Sequence, residues 1–264
     1  MIYSPEADKL THKMSGIAKS FSSMLGCRLG GALSVAAACL FVLPAAAIVH
    51  AQQPDAAAVI RQIDALTMAR YDSIAGYTVT EYYAVFRGKD ETQPVAEMTV
   101  KTTYQRESGK SYAIVSESGP ELIRKLGLHP LLDNEKSISL PGKVQQSWFT
   151  SANYEMTLMP GRPRQMNGRE CLAVAITPKR KAPNLIVGTL WVDAKDDSIV
   201  EIEGIGSKSP SIWTGPTQLM RQYTNMNGFA MATHARAVAN SFLLGQTVVT
   251  IDYRDYHIQL RPAK

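Results

Sequence analysis

The chain has 264 residues, 45% of them hydrophobic and 19% charged, with a formal net charge of +5. That suffices for one large domain with a real core. The basic residues are scattered, with Lys179-Arg-Lys181 the one cluster, so the excess gives no reason to infer a nucleic-acid partner.

The first segment reads as an export signal. Lys13, Lys19 and Arg28 supply a basic region, residues 29–43 carry no charge, and Pro44 ends the run. Val49-His-Ala51 then offers a small-x-small cleavage site before Gln52. A membrane anchor is the competing reading. It needs about 20 apolar residues with anchoring flanks, and this run is shorter and rich in Ala and Gly. Met14 and Met24 are alternative starts. Cys27 precedes the apolar run and Cys39 lies inside it, so neither fits a lipobox. The expected organisation is a signal peptide over residues 1–51 and one periplasmic domain over 52–264. That domain has 213 residues, a charge of +3 and Cys171 as its single cysteine, so no internal disulfide is expected.

Residues 55–72 predict a helix. Pro54-Asp55 is a start signal with Asp55 as N-cap. Val59, Ile63, Leu66 and Arg70 form one stripe flanked by Ile60 and Thr67, with Arg61, Gln62 and Asp64 opposite. From Gly76 the period becomes two. Residues 77–87, 95–106 and 110–117 read as strands rich in Val, Thr and Tyr, separated by turns at 88–90 and 107–110. Charge sorts their faces. Glu81 and Arg87 oppose Tyr82, Ala84 and Phe86, and Glu97 and Lys101 oppose Met98, Val100 and Tyr104.

Ser118-Gly-Pro-Glu121 resembles a capping box and predicts a short helix over 121–128, with Leu122, Ile123 and Leu126 on one face. A polar loop is expected from His129 to Pro141-Gly142. Strands resume at 153–159, with Tyr154, Met156 and Leu158 inward. Residues 161–168 read as a turn. Three successive strands follow, opening at Cys171, Leu185 and Ser198, with Lys195-Asp-Asp-Ser198 as a hairpin turn. Residues 208–216 form a Pro-containing loop. Strands at 219–225, 229–240 and 247–259 close the chain, with Asn227-Gly228 as a turn signal. On the last, Val249, Ile251 and Tyr253 oppose Asp252 and Arg254. Nine or ten short-linked strands argue for one continuous antiparallel sheet, which at this size curls or closes.

Several stretches carry a family resemblance: Gly168-Arg-Glu-Cys-Leu-Ala-Val-Ala-Ile-Thr-Pro-Lys, Gly188-Thr-Leu-Trp-Val-Asp, Ile199-Val-Glu-Ile-Glu-Gly and residues 219–228. The chain resembles the LolA/RseB superfamily of periplasmic lipoprotein carriers. In Asn153-Tyr, Thr177-Pro-Lys-Arg-Lys, Lys208-Ser-Pro-Ser-Ile-Trp and Ile251-Asp-Tyr-Arg-Asp-Tyr it is similar to the acidobacterial type of outer membrane lipoprotein-sorting protein. The resemblance implies an incomplete antiparallel β-barrel, a curved sheet with helices covering its concave face. It implies a non-catalytic periplasmic carrier without a cofactor, sorting lipoproteins or lipids towards the outer membrane. The partners would be the acyl chains of that cargo and inner- and outer-membrane proteins, met by a monomer. An RseB-like lipid-sensing regulator of envelope stress is the alternative, and a secreted hydrolase a third reading.

An acyl-chain pocket would be lined by the dry strand faces: Tyr82, Phe86, Met98, Val100, Tyr104, Tyr112, Ile114, Met156, Leu158, Leu172, Val174, Ile176, Ile186, Leu190, Val192, Val200, Ile202, Val249, Ile251 and Tyr253. Periodicity alone describes a packed core of the same residues equally well. Residues 121–132 are the candidate lid, with Leu122, Ile123 and Leu126 facing the pocket and Gly119, Gly127 and Pro130 as breaks. Their alternative is a fixed structural helix. Glu201 and Glu203 share a strand face, where a solvated surface competes with glycosidase chemistry. Asp252, Asp255 and His257 lack metal-ligand spacing. Ser209 and Ser211 lie in no nucleophile elbow, and Cys171 reads as a small buried hydrophobe. Trp191 and Trp213 could anchor a partner or a membrane surface, and Trp191 could equally pack on the outer strand face.

Overall fold

The computed structural model describes residues 54–182, 184–208, 216–241 and 245–262. The stretch expected to be an export signal, Ser209, Ser211 and Trp213 lie outside these. All described elements belong to the unit Ala51–Lys264. No helix among the described residues is long and apolar enough to cross a membrane.

Helix α1 spans Ala56–Ser73, and the Asp55 carboxylate accepts from the Ala57 amide at 3.0 Å. This satisfies one of the donors left free at a helix start. Val59 and Ile63, one turn apart, are its buried face. Asp64 is not part of a solvated side as its charge suggested. It accepts from the Ser151 amide at 2.8 Å and the Ser151 hydroxyl at 2.5 Å, tying α1 to the segment before the fourth strand.

The strands are β1 (Ile74–Arg87), β2 (Ala96–Gln105), β3 (Gly109–Ser118), β4 (Tyr154–Leu158), β5 (Arg164–Met166), β6 (Arg169–Pro178), β7 (Ile186–Asp193), β8 (Ile199–Gly206), β9 (Gln218–Met226), β10 (Phe229–Ser241) and β11 (Gly245–Leu260). They form one antiparallel sheet in the order β3-β2-β1-β11-β10-β9-β8-β7-β6-β4, with β5 added against the start of β6. β5 occupies a stretch expected to be turn. Asn167-Gly168 and Asn227-Gly228 make the tight turns after β5 and β9, all four residues at positive φ. These are the residue types that reach the left-handed region at least cost.

The sheet stays open, with β3 and β4 at its ends, and it is curved. Lys110 on β3 and Arg221 on β9 sit five strand positions apart, which a flat sheet would place about 24 Å from each other. Both nevertheless meet the same carboxylate, that of Glu135. The fold is therefore the incomplete barrel expected, with helices on its concave face.

Between β3 and β4 the chain is helical for longer than predicted. α2 (Glu121–Ile123) passes through a π turn (Arg124–Leu128) into α3 (His129–Ile138). Pro130 does not break it. Proline lacks an amide hydrogen and its ring presses on the carbonyl four residues earlier. Here the preceding turn is widened, with the His129 amide donating to the Arg124 carbonyl, so the ring is accommodated in the first turn of α3.

Candidate binding site on the inner face of the sheet

Direct cross-strand neighbours lie on the same face. The pairing register therefore threads one inner row across the whole sheet: Glu117, Met98, Tyr83, Ile251, Ala235, Arg221, Ile202, Leu190, Val174 and Leu158. One apolar cluster lies under α1. It holds Leu172, Val174, Ile176, Ile186, Leu190, Val192 and Ile202, with Met156 and Leu158 packed beside them. A second lies under α3, where Leu128 and Leu132 meet Tyr83, Val85, Met98 and Val100, with Tyr112, Val249 and Ile251 alongside. Tyr104 and Tyr253 pack in a third cluster around Tyr77 and Val79. Val200 is buried beside the register shift of β8, and Ile114 is exposed on the edge strand.

Tyr82 and Phe86 are on the other side of the sheet. They pack with Ala84, Val238 and Val248, away from α3, and the inner residues of β1 are Val79, Glu81, Tyr83 and Val85. The expectation failed because β1 is covered on both faces, so alternation marks two sets without saying which is inner. The charge of Glu81 predicts a solvated face. The residue is 1% exposed, with one carboxylate oxygen accepting from the Tyr83 hydroxyl at 2.5 Å.

The cover differs in detail too. Ile123 packs inward, whereas Leu122 and Leu126 are 67% and 72% exposed. The inward contacts continue through Leu128, Leu131 and Leu132, past the predicted face. Ion pairs do the rest of the holding. Glu117 of β3 engages Arg124, and its second oxygen lies 2.8 Å from His129 Nε2. These donors hold the Glu117 carboxyl below its ordinary range, His129 being the main cause.

Between the apolar clusters the inner face is polar, a feature missed in the sequence. Glu135 lies 2.7 Å from Lys110 Nζ and 3.6 Å from the Arg221 guanidinium. Burial opposes its charge, but Lys110 and Arg221 outweigh burial and bring its carboxyl down to about 2. The pair also keeps Lys110 above its ordinary value despite burial. Burial raises Tyr83, Tyr112, Tyr253 and Tyr256, so all four stay protonated. A signal existed: Arg221 shares its strand face with Leu219 and Tyr223, and Glu81 with Val79 and Tyr83.

The outer face has its own registered row, Tyr82, Asp252, His234, Gln222, Glu201 and Trp191. The Gln222 amide donates to Glu201 and the Trp191 indole to Glu203, each at 2.9 Å. Both carboxylates are thus bound by neighbours rather than opposed across a cleft. Arg164 sits 5.2 Å over the Trp191 ring, the outer-face packing considered for that tryptophan. His234 Nδ1 lies 2.7 Å from Asp252, and His257 lies 3.0 Å from the Asp255 carbonyl. Among the described residues no hydroxyl or thiol bonds to a histidine, and no three or more His, Cys, Asp or Glu side chains are grouped to hold a metal ion. Cys171 is buried, which pushes its thiol up.

No family profile matches the chain, and no curated protein matches it. Its fold is similar to that of several solved structures, among them these three. One is a LolA superfamily protein of Nitrosomonas europaea (TM-score 0.42, 12% identity, covering 80% of this chain and 96% of that one). Another is an outer membrane lipoprotein-sorting protein domain of Vibrio parahaemolyticus (0.43, 10%, 79% and 94%). The third is MucB in its complex with MucA from Pseudomonas aeruginosa (0.27, 11%, 74% and 93%).

Proposed function

We propose that this protein is a non-catalytic carrier or binder of acyl chains in the bacterial envelope, sorting lipoproteins or lipids towards the outer membrane. The observation that carries the reading is how the cover is held. The cover from α2 to α3 touches the inner sheet with a short row of apolar side chains, Leu128 and Leu132 with Ile123 and Leu131 beside them, and the pairs Arg124–Glu117 and Glu135–Lys110 supply the rest. Exposing each buried leucine costs about 1.5–3 kcal/mol. A C16 chain entering in their place gains on the order of 12 kcal/mol gross, before ordering costs. Such a cover can be displaced by cargo and can close again after transfer. The predicted export signal supports the compartment. Native mass spectrometry of protein purified from the periplasm tests the reading. Co-purifying acyl-chain mass supports it, and bare protein from a lipid-replete envelope counts against it.

One observation favours the regulator reading. Leu122 and Leu126 stand exposed on the cover, and Val115 on the edge strand is 66% exposed. A protein partner resting there would sense whether the cover is closed. Binding of a membrane-anchored partner that is lost in Leu126→Ser but not on lipid removal would favour the regulator over the carrier.

A further inference from the structure

The middle of the inner face is charged. Lys110 and Arg221 converge from opposite walls on the Glu135 carboxylate of the cover. Arg221 is the single cation inside the registered row, between Ala235 and Ile202, and its side chain is still 39% exposed. Beside them, one carboxylate oxygen of Glu81, the Thr102 hydroxyl and the Tyr112 hydroxyl are buried without a hydrogen-bond partner. The register places Glu81 next to Val100 and Tyr112 next to Thr102 on the same face. Buried polar groups are ordinarily paired, so this floor suits a polar group better than hydrocarbon.

We propose that Lys110 and Arg221 are the head-group site for an acyl-chain amphiphile with a single negative charge, whose anionic group takes the place of Glu135 when the cover opens. The inference rests on the acyl-chain reading and names the head. With the cover closed, the formal charges of Lys110, Arg221, Glu81 and Glu135 sum to zero. Without Glu135 they sum to one positive charge in a partly buried place. Breaking a buried pair by removing one partner leaves an uncompensated charge, which is strongly unfavourable. Cover opening therefore favours entry of one anion. The spacing of the two cations already suits a single carboxylate, and a phosphodiester presents the same chemistry. Glu81 opposes a second negative charge. The apolar clusters under α1 and α3 flank the site and take the chains.

The test uses purified, delipidated protein carrying the neutral probe N-phenylnaphthylamine at neutral pH. Displacement is measured for dodecanoate, dodecanoyl lysophosphatidylglycerol and neutral monododecanoylglycerol. At least one anionic amphiphile is expected to act at concentrations about tenfold below the neutral one, a difference of one interaction to a charged group. Whichever anion is stronger identifies a carboxylate or a phosphodiester head. Arg221→Gln and Lys110→Gln should remove the preference, bringing the anionic and neutral compounds to equal potency, while Arg221→Lys keeps it. Glu135→Gln, which retains both cations, should strengthen anion binding and guards against a variant that fails to fold. Equal potency of neutral and anionic compounds in the wild type overturns the head-group site and leaves the carrier reading standing. So does a preference that survives both Gln variants. If the probe never binds and no amphiphile does, the carrier reading falls and this site with it.

Discussion

The Glu135 carboxylate of α3 lies 2.7 Å from the Lys110 ammonium of β3. Through this contact a helix inserted in mid-chain is fixed to the edge strand that precedes it. Arg221, which meets the other oxygen of the same carboxylate, joins the far wall to the same point.

Glu135→Gln removes the charge that both cations share. A partly exposed pair is worth less than a fully buried one, so the expected loss is roughly 1–3 kcal/mol by chemical denaturation. Amide exchange over residues 121–138 should accelerate more than in α1. Uniform acceleration across the protein would mean that Glu135 does not hold the cover specifically.

Acid should release the same contact. The folded Glu135 carboxyl lies near 2 against an ordinary 4.5. Because the folded value is the lower one, the stabilisation is complete above about 4.5 and is lost as pH falls towards 2. Exchange over residues 121–138, corrected for intrinsic rates, should rise through that window in the wild type and rise less in Glu135→Gln, where only the Glu117 contacts remain to be released. A rise of equal size in the variant would assign the transition to another group.

Leucines of the cover divide by side. Leu132→Ala removes a buried side chain from the cluster of Met98 and Val100 and should cost about 2–4 kcal/mol. Leu126→Ala acts at an exposed position and should change stability by less than about 0.5 kcal/mol. Equal losses on thermal melting would show that the cover sits the other way round.

Gly188 of β7 pairs with Gly204 of β8. A Cβ on Gly188 would stand 2.0 Å from the Glu203 carbonyl oxygen and 2.6 Å from the Gly204 Cα. Both obstacles are backbone, so Gly188→Ala must push the strands apart. The expected cost is about 1–3 kcal/mol, read from the urea midpoint, while Gly161→Ala, whose Cβ would meet nothing, serves only to bound the effect of its positive φ.

Cys171 should be inert. Its thiol is buried and raised above the ordinary range, so thiolate is scarce at neutral pH. A thiol reagent should label it only under denaturing conditions. Rapid labelling of the folded protein would contradict the burial of β6.

Much of the architecture was legible residue by residue. Asp55 before an apolar stripe, period-two runs of Val, Thr and Tyr, and Asn-Gly turns are local signals, and α1 and most strands follow from them. Alternation even separated Met98, Val100 and Val249 from their charged neighbours. The charged part of the candidate site is not legible in the sequence, because Lys110, Glu135 and Arg221 lie apart along the chain, each plausible as a solvated charge.

By itself, then, the order of residues determined which segments extend, which coil and where the chain turns, since those depend on near neighbours. Only the tertiary structure decided that β1 pairs with β11, that Tyr83 rather than Tyr82 faces the cover, and that three distant charges meet. A strand covered on both sides has no dry face to declare, and an ion pair has no period. Both depend on which surfaces the curved sheet brings together.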